Sequence, residues 1–268
     1  MLTGKGFAKA ASMHGFANPA RFLRLARWLT PLCLVAGLGL AAGALAWGLT
    51  AAPAERLQGE TVRILFLHVP AAWLGMAGWM TIAAASFTEI VWRHPLAAIA
   101  ARAAAAPGAV FTFVCLVTGS LWGRPAWGVW WVWDGRLTSM LVLLFLFLAY
   151  MALADAAVRA GEGQSRIPAV FGLVGAINIP IIHYSVLWWN SLHQPPSITL
   201  GNSAMAPAFL YPLLVATLGF TLVFAGVVLM RMRAILANAQ TEARLRRKAL
   251  SASDDSASGD SARDGDAF

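Results

Sequence analysis

Charged residues are scarce in this sequence, and their scarcity excludes a soluble globular protein. Asp, Glu, Lys and Arg make up only 12% of the 268 residues, whereas 59% are hydrophobic, and the mean hydropathy is +0.66. Soluble domains carry about 25% charged residues. The apolar residues stand in long runs, each near the ~20 residues that cross a lipid bilayer. The composition therefore indicates an integral membrane protein.

Cysteine pairs and nucleotide-binding motifs are also missing. The two cysteines, Cys33 and Cys115, lie in separate apolar runs, and no CxxC or CxxCH sequence occurs. We therefore interpret both as small buried hydrophobic residues. Neither GxxxxGK[ST] nor GxGxxG is present, so the chain is not expected to hydrolyse ATP by itself. The sequence shows no Ser-His-Asp set and no carboxylate pair suited to ordinary acid–base or acyl chemistry, so a conventional enzyme is not predicted.

Six apolar runs predict an all-α integral membrane protein with six transmembrane helices. Asn178 and Pro180 predict a kink in the fifth run, and the spacing of Gly39 and Gly43 in the first permits close helix approach. The first run is longer than the core of a signal peptide, so we interpret it as a retained helix. The runs are Trp28–Thr50, Val69–Val91, Ala103–Leu121, Ser139–Ala157, Ile167–Trp189 and Met205–Met230.

The positive charge is distributed unevenly about these runs. Sixteen of the twenty Lys and Arg residues lie before the first run, in the second and fourth loops, or after the sixth run. Cytoplasmic segments of membrane proteins are enriched in Lys and Arg. Both termini are therefore predicted to be cytoplasmic, and the net charge of +8 reflects topology rather than nucleic-acid binding. The other four cations, in the outer loops, are Arg56, Arg63, Arg124 and Arg136.

Four segments follow from this reading. Residues 1–27 form a basic cytoplasmic segment, and residues 28–230 form the membrane domain. Residues 231–250 are predicted to be a basic helix at the inner membrane surface. Residues 251–268 are small, polar and acidic, which predicts a disordered tail.

The second outer loop, residues 122–136, reads WGRPAWGVWWVWDGR, and its glycines and proline argue against a continuous helix. The predicted topology places His68 and His193 in the first and third outer loops, on the same side. Haem needs an apolar platform, imidazole ligands for iron, and arginine for its propionates. A site for a flat, anionic, metal-bearing ligand is therefore one interpretation. The other is an aromatic belt at the membrane interface with ordinary surface histidines, in which Asp134 caps a helix or pairs with Arg136.

Three stretches carry a family resemblance. They are WGVWWVWD at 127–134, LHVPAAW at 67–73 and NIPIIHYSVLWWNSLHQP at 178–195. From about Arg21 to Arg233, the sequence resembles the tryptophan-rich (WWD) haem-handling proteins of cytochrome c biogenesis, and among these the CcmC family in particular.

The resemblance implies that haem b is held at the periplasmic face of the bacterial inner membrane and loaded covalently onto the haem chaperone CcmE. It implies CcmD and the ABC transporter subunits CcmA and CcmB as further partners. His68 and His193 match the family's axial haem ligands, and Arg63 and Arg136 are candidates for propionate contacts. The residues that match the haem-presenting signature are Trp122, Trp127, Trp130, Trp131, Trp133 and Asp134.

Two other functions remain as alternatives. A transporter that carries haem across the bilayer would need polar or iron-ligating groups at depth, and Asn178 and His183 are the only candidates. A purely structural membrane subunit with an aromatic belt would need no haem. The resemblance instead leads us to expect a haem-presenting assembly factor rather than a conventional catalyst.

Overall fold

The computed structural model describes residues 18–161, 165–189, 191–193, 198–199 and 202–264, and this part of the chain is helical almost throughout. A 3-10 turn, Glu60–Ile64, precedes the second helix, and two short strands, β1 (Ile198–Thr199) and β2 (Asn202–Ser203), pair in antiparallel fashion before the last helix. The helices are α1 (Pro19–Ala51), α2 (Leu65–Trp92), α3 (Ala97–Trp127), α4 (Gly135–Arg159), α5 (Ile167–Gly175), α6 (Asn178–Trp188) and α7 (Pro207–Asp264).

Six stretches among the described residues are long and apolar enough to cross a membrane. They correspond to α1, to α2 with its 3-10 turn, to α3, to α4, to α5 with α6, and to α7. The prediction of an all-α membrane protein with six spanning helices is confirmed. The helices extend beyond the apolar runs because each run marks only the part that matches the hydrocarbon core.

The tryptophan-rich segment is not one continuous helix, as its glycines and proline predicted, but its first half is helical. Helix α3 continues through Gly123 and Pro125 to Trp127 and is capped by Gly128, whose φ is 81°. A proline removes a single backbone donor, which is tolerated near a helix end, whereas a left-handed residue terminates the helix. Only the second half of the segment is therefore irregular.

The predicted kink in the fifth span is confirmed as a break between two helices. Helix α5 ends at Gly175 and α6 begins at Asn178. The buried Asn178 side chain donates from Nδ2 to the carbonyl oxygen of Ser139 on α4, at 2.9 Å. This hydrogen bond gives the buried amide a partner and holds the break between α5 and α6 against α4.

The core combines one large aromatic cluster with closely packed small residues. Trp79 of α2 is fully buried and meets Phe147, Tyr150 and Phe171 edge-on, with ring centroids 5.0, 6.2 and 6.3 Å away. The alanines of α3 that pack against α2 are also fully buried, and they allow the helix axes to approach closely. They include Ala101, Ala104 and Ala105.

The terminal segments differ from the sequence-based expectation. Residues 1–17 of the predicted basic segment lie outside the described residues, and the remainder begins α1. The predicted inner-surface helix at 231–250 is an unbroken continuation of α7, which runs on to Asp264. Composition predicted disorder from residue 251, but extending an existing helix requires no new nucleation. The last four residues lie outside the described part.

Candidate functional site

His68 lies in the first turn of α2 and is held by α3. Its Nδ1 atom is 2.9 Å from Oγ1 of Thr118, whose hydroxyl also bonds the carbonyl oxygen of Val114 at 2.7 Å. Trp122, one turn further along α3, meets the His68 ring edge-on, with centroids 5.7 Å apart. Because residues four apart share a helix face, Thr118 and Trp122 together fix this imidazole.

His193 lies beyond α6 and is held at the start of α4. Its Nδ1 atom is 2.9 Å from Oδ2 of Asp134, which also accepts a hydrogen bond from the Ser191 hydroxyl at 2.6 Å. The other carboxylate oxygen of Asp134 accepts from the backbone N–H of Leu137 at 2.8 Å and so caps α4. Trp127, at the end of α3, meets the His193 ring edge-on at 4.8 Å.

The two histidines lie within electrostatic range of each other. His68 interacts electrostatically with both His193 and Arg136, although 125 positions separate the histidines in the chain. The fold brings the start of α2, the end of α3, the start of α4 and the segment after α6 to one end of the bundle.

Electrostatics at the second histidine favour a neutral imidazole beside a carboxylate. Burial lowers the pKa of His193 below the ordinary 6.5, although the bond to Asp134 opposes the shift. Burial alone would raise the pKa of Asp134, but hydrogen bonds from Ser191, the Leu137 N–H and His193 outweigh it and lower that pKa. The contact is therefore a charge-assisted hydrogen bond rather than an ion pair at neutral pH.

The signature tryptophans divide into two groups. Trp122 and Trp127 pack against the histidines, as described above. Trp131 is half-buried and meets Trp133 edge-on at 5.4 Å, but its Nε1 has no acceptor among the described residues. Trp130 and Trp133 are exposed, the latter to 75%. One group thus supports the imidazoles, and the other presents an open aromatic surface.

The predicted arginines have protein partners. Arg63 forms an ion pair with Glu60 at 2.7 Å and donates to the carbonyl oxygen of Ala52 at 2.9 Å, but its buried Nε has no acceptor in the described part of the chain. Arg136 makes a long contact of 3.5 Å to the carbonyl oxygen of His183. Neither guanidinium uses all of its N–H donors in these contacts, so both retain donors that could bind an anion.

His183 is not brought into the site. Its side chain is exposed and packs edge-on against Tyr184 at 4.8 Å. A cavity of about 420 Å³ lies between α4 and α6 beside Asp134, with Trp133 and Trp189 among its lining residues.

Sequence reasoning missed Thr118, Ser191 and Gln58. The Gln58 side chain accepts a hydrogen bond from Trp122 Nε1 at 2.8 Å. Ser191 stands two residues before His193, and a serine so placed often bonds the following backbone N–H, as it does here at 3.1 Å. Thr118 and Gln58 carry no such local signal, because their partners are 50 and 64 positions away in the chain.

Comparison with known proteins shows the family of the chain. Residues 12–247 match the family model described as heme exporter protein C, CcmC. Similar relatives include heme exporter protein C of Bradyrhizobium diazoefficiens, 50% identical over 81% of this chain and 82% of the relative. That of Escherichia coli K12 is 43% identical over 84% and 91%, and that of Paracoccus denitrificans is 38% identical over 89% and 96%. The chain therefore belongs to the heme exporter protein C (CcmC) family.

Proposed function

We propose that this protein binds haem b between His68 and His193 at the periplasmic face of the bacterial inner membrane and presents it for covalent loading onto the chaperone CcmE. The proposal includes CcmD and the transporter subunits CcmA and CcmB as partners. It makes the protein an assembly factor for cytochrome c maturation. The bond-forming histidine belongs to the chaperone, and this chain contributes orientation and shelter from water.

The observation that carries the proposal is the pair of imidazoles whose Nδ1 atoms are both engaged. Thr118 and Asp134 occupy these nitrogens, and no described residue bonds the Nε2 atoms. No group of three or more His, Cys, Asp or Glu among the described residues is arranged for a bare metal ion. Two histidines alone suit a metal that brings its own equatorial donors, which the haem macrocycle supplies.

Two buried donors without partners suit the rest of the haem molecule. The buried Nε1 of Trp131 and Nε of Arg63 have no acceptors among the described residues, and leaving a buried donor unpaired is unfavourable. The two propionates of haem supply acceptors, and arginine suits a carboxylate. The flat faces of the indoles suit the macrocycle. The residues present therefore fit haem.

The exposed tryptophans support the presentation step. Trp130 and Trp133 remain accessible at the same end of the bundle as the histidines. Large aromatic side chains left open to water are typical of interaction surfaces. In the proposal, this edge receives the chaperone while the histidines hold the iron.

Transport across the bilayer is less well supported. Asn178 is bonded to the Ser139 carbonyl, and its burial is explained by that structural contact. His183 is exposed beside Tyr184, and no ring contact joins it to His68 or His193 among the described residues. No series of iron-ligating groups crosses the described part of the bundle.

The test measures haem content and chaperone capture in the purified full-length protein. His68→Ala and His193→Ala should each lower haem retention by more than about 10–100-fold, because each removes an iron ligand and loss of a residue that only orients a ligand already costs that much. His183→Ala is the matched control and should retain haem. Trp133→Ala should retain haem but lose covalent transfer to CcmE.

Two results would contradict the proposal. Unchanged haem content and absorption spectrum in both histidine variants would remove the ligand assignment. Equal loss of haem retention and chaperone capture in Trp133→Ala would remove the presentation step. Loss of haem delivery in His183→Ala, with His68 and His193 intact, would favour the transport alternative.

A further inference from the structure

The hydrogen bonds around His68 define which ring nitrogen carries the proton. The Thr118 hydroxyl has one hydrogen, and a carbonyl oxygen 2.7 Å away on Val114 can only accept. The hydroxyl therefore donates to Val114, and towards His68 its oxygen acts as an acceptor. His68 is thus protonated on Nδ1 and offers Nε2 through a bond to a neutral hydroxyl.

His193 reaches the same tautomer through a different partner. The Asp134 carboxylate can only accept, so Nδ1 of His193 donates to it at 2.9 Å. A carboxylate partner makes an imidazole a stronger electron donor and fixes its orientation. Ser191 strengthens this arrangement, because its hydroxyl donates to Asp134 and also accepts from the backbone N–H of His193.

The two histidines also differ in what they are attached to. His193 is tied through Asp134 to the first turn of a membrane helix, α4. His68 contacts Trp122, whose indole N–H is bonded to Gln58. Gln58 belongs to a tight turn in which the Glu55 carboxylate accepts from two backbone N–H groups, and Leu57 at its tip is 91% exposed. A partner that touches this turn therefore has a route of direct contacts to His68.

We propose that the two imidazoles bind the haem iron unequally, and that His68 is the ligand released when haem passes to its next carrier. This inference rests on the proposed haem-binding function. His193 is the retained ligand, fixed by Asp134 and Ser191. Thr118 and Gln58 are positioning residues that set how readily His68 leaves.

The experiment uses carbon monoxide as a competing ligand for the reduced, haem-loaded full-length protein. The rate of adduct formation reports how readily an imidazole dissociates, and the Fe–C and C–O stretching frequencies report the ligand that remains opposite. Thr118→Val should speed adduct formation roughly 5–10-fold, as loss of one buried hydrogen bond implies, with wild-type frequencies. Asp134→Asn should shift the frequencies, and asparagine still caps α4.

A matched control lies on the same helix. Thr112→Val removes a hydroxyl that bonds the Gly108 carbonyl at 2.8 Å, as Thr118 bonds Val114, but it contacts neither histidine. This variant should match wild type in rate and frequencies. Ser191→Ala provides a second change at His193 and should shift the frequencies in the same direction as Asp134→Asn, but by less.

The outcomes separate this inference from the proposed function. Frequencies that respond to Thr118→Val and not to Asp134→Asn would show that His68 is retained, and frequencies that respond to neither would show that the ligands are equivalent. Both results overturn the inference and leave haem binding intact. Absence of haem from the wild-type protein would overturn the proposed function itself. The 15N shifts of the two imidazoles in the haem-free protein would still test both tautomers.

Discussion

Asp134 joins three parts of the chain at the residue scale. It caps α4, bonds the ring of His193, and accepts from Ser191. The cap and the imidazole contact use different carboxylate oxygens, so one side chain serves both without competition. An acidic residue at a helix N-terminus also lies in the favourable end of the helix dipole. The signature aspartate therefore links the stability of α4 to the orientation of a candidate iron ligand.

This pair predicts an acid-sensitive stability of the haem-free protein. The pKa values of His193 and Asp134 are both lowered in the folded state. Between each lowered value and the ordinary one, the unfolded chain binds more protons, so stability falls as the pH falls. The melting temperature should be level near pH 7 to 8, decline by a few degrees once the pH passes below 6.5, and decline again below 3.8.

Asp134→Asn changes this profile in a defined way. The Asp134 carboxylate raises the pKa of His193 against the larger effect of burial. Removing it should therefore leave the onset of the first decline near pH 6.5, extend that decline to lower pH, and abolish the second. Asp155→Asn is the control, since Asp155 is paired with Arg102 at 3.8 Å away from the site. The melting temperature is measured as a function of pH for wild type, Asp134→Asn and Asp155→Asn. Identical profiles for wild type and Asp134→Asn would contradict the expectation.

The sequence predicted the residues with unusual chemistry and missed those with ordinary chemistry. His68 and His193 stood out because the chain has few histidines. The tryptophans stood out because so many clustered indoles are unusual in an apolar chain. Thr118 and Gln58 are common residue types, and only the packing of α3 against α2 and the first outer loop reveals their partners. The propionate role predicted for Arg63 remains a proposal. Its ion pair with Glu60 joins neighbours within the 3-10 turn, and such a local contact does not test whether Arg63 binds an anion.

At the element scale, α1 and α7 pack with their backbones in close approach. A Cβ added to Gly219 would lie 2.5 Å from the backbone nitrogen of Ala41, and one added to Gly37 would lie 2.7 Å from that of Val223. The Gly39 and Gly43 pair that the sequence singled out faces the other way, with nothing within 4 Å. Glycine spacing indicates a close approach, but it does not reveal which face of a helix meets its neighbour.

This packing predicts a selective effect of alanine in α1 and α7. Gly219→Ala places a methyl group against the backbone of Ala41, and that clash can only be relieved by moving the helices apart. Unfolding free energy in detergent should fall by about 1–3 kcal/mol. Gly43→Ala, on the open face, is the matched control and should be neutral or stabilise by up to ~1 kcal/mol through helix propensity. Equal losses in the two variants would contradict the packing argument.

At the scale of the whole molecule, the histidine pair and the cation-rich segments lie at opposite ends of the helices. His68 begins α2, whereas Arg93 follows its end, and Arg231 of α7 donates to the carbonyl oxygen of Ala103 near the start of α3. Charge counting predicted this separation because loop composition depends on topology and not on tertiary packing. The continuation of α7 past residue 250 was not predicted, because a polar segment has no periodic pattern of apolar residues that would indicate a helix.

The orientation itself is the remaining prediction at this scale. Leu57→Cys and Ala243→Cys place thiols at exposed positions, the first in the loop before α2 and the second in the later half of α7. With both termini cytoplasmic, a membrane-impermeant maleimide applied to spheroplasts should label Leu57→Cys. It should label Ala243→Cys only after lysis.

The native thiols set the background of this experiment. Cys115 is buried and Cys33 is half-buried within a membrane-spanning helix, so the unmodified protein should label weakly under both conditions. Labelling of Ala243→Cys in intact spheroplasts, with Leu57→Cys protected, would reverse the orientation. It would place His68 and His193 in the cytoplasm, where a periplasmic chaperone has no access to the exposed tryptophans, and the presentation function would then fail together with the topology.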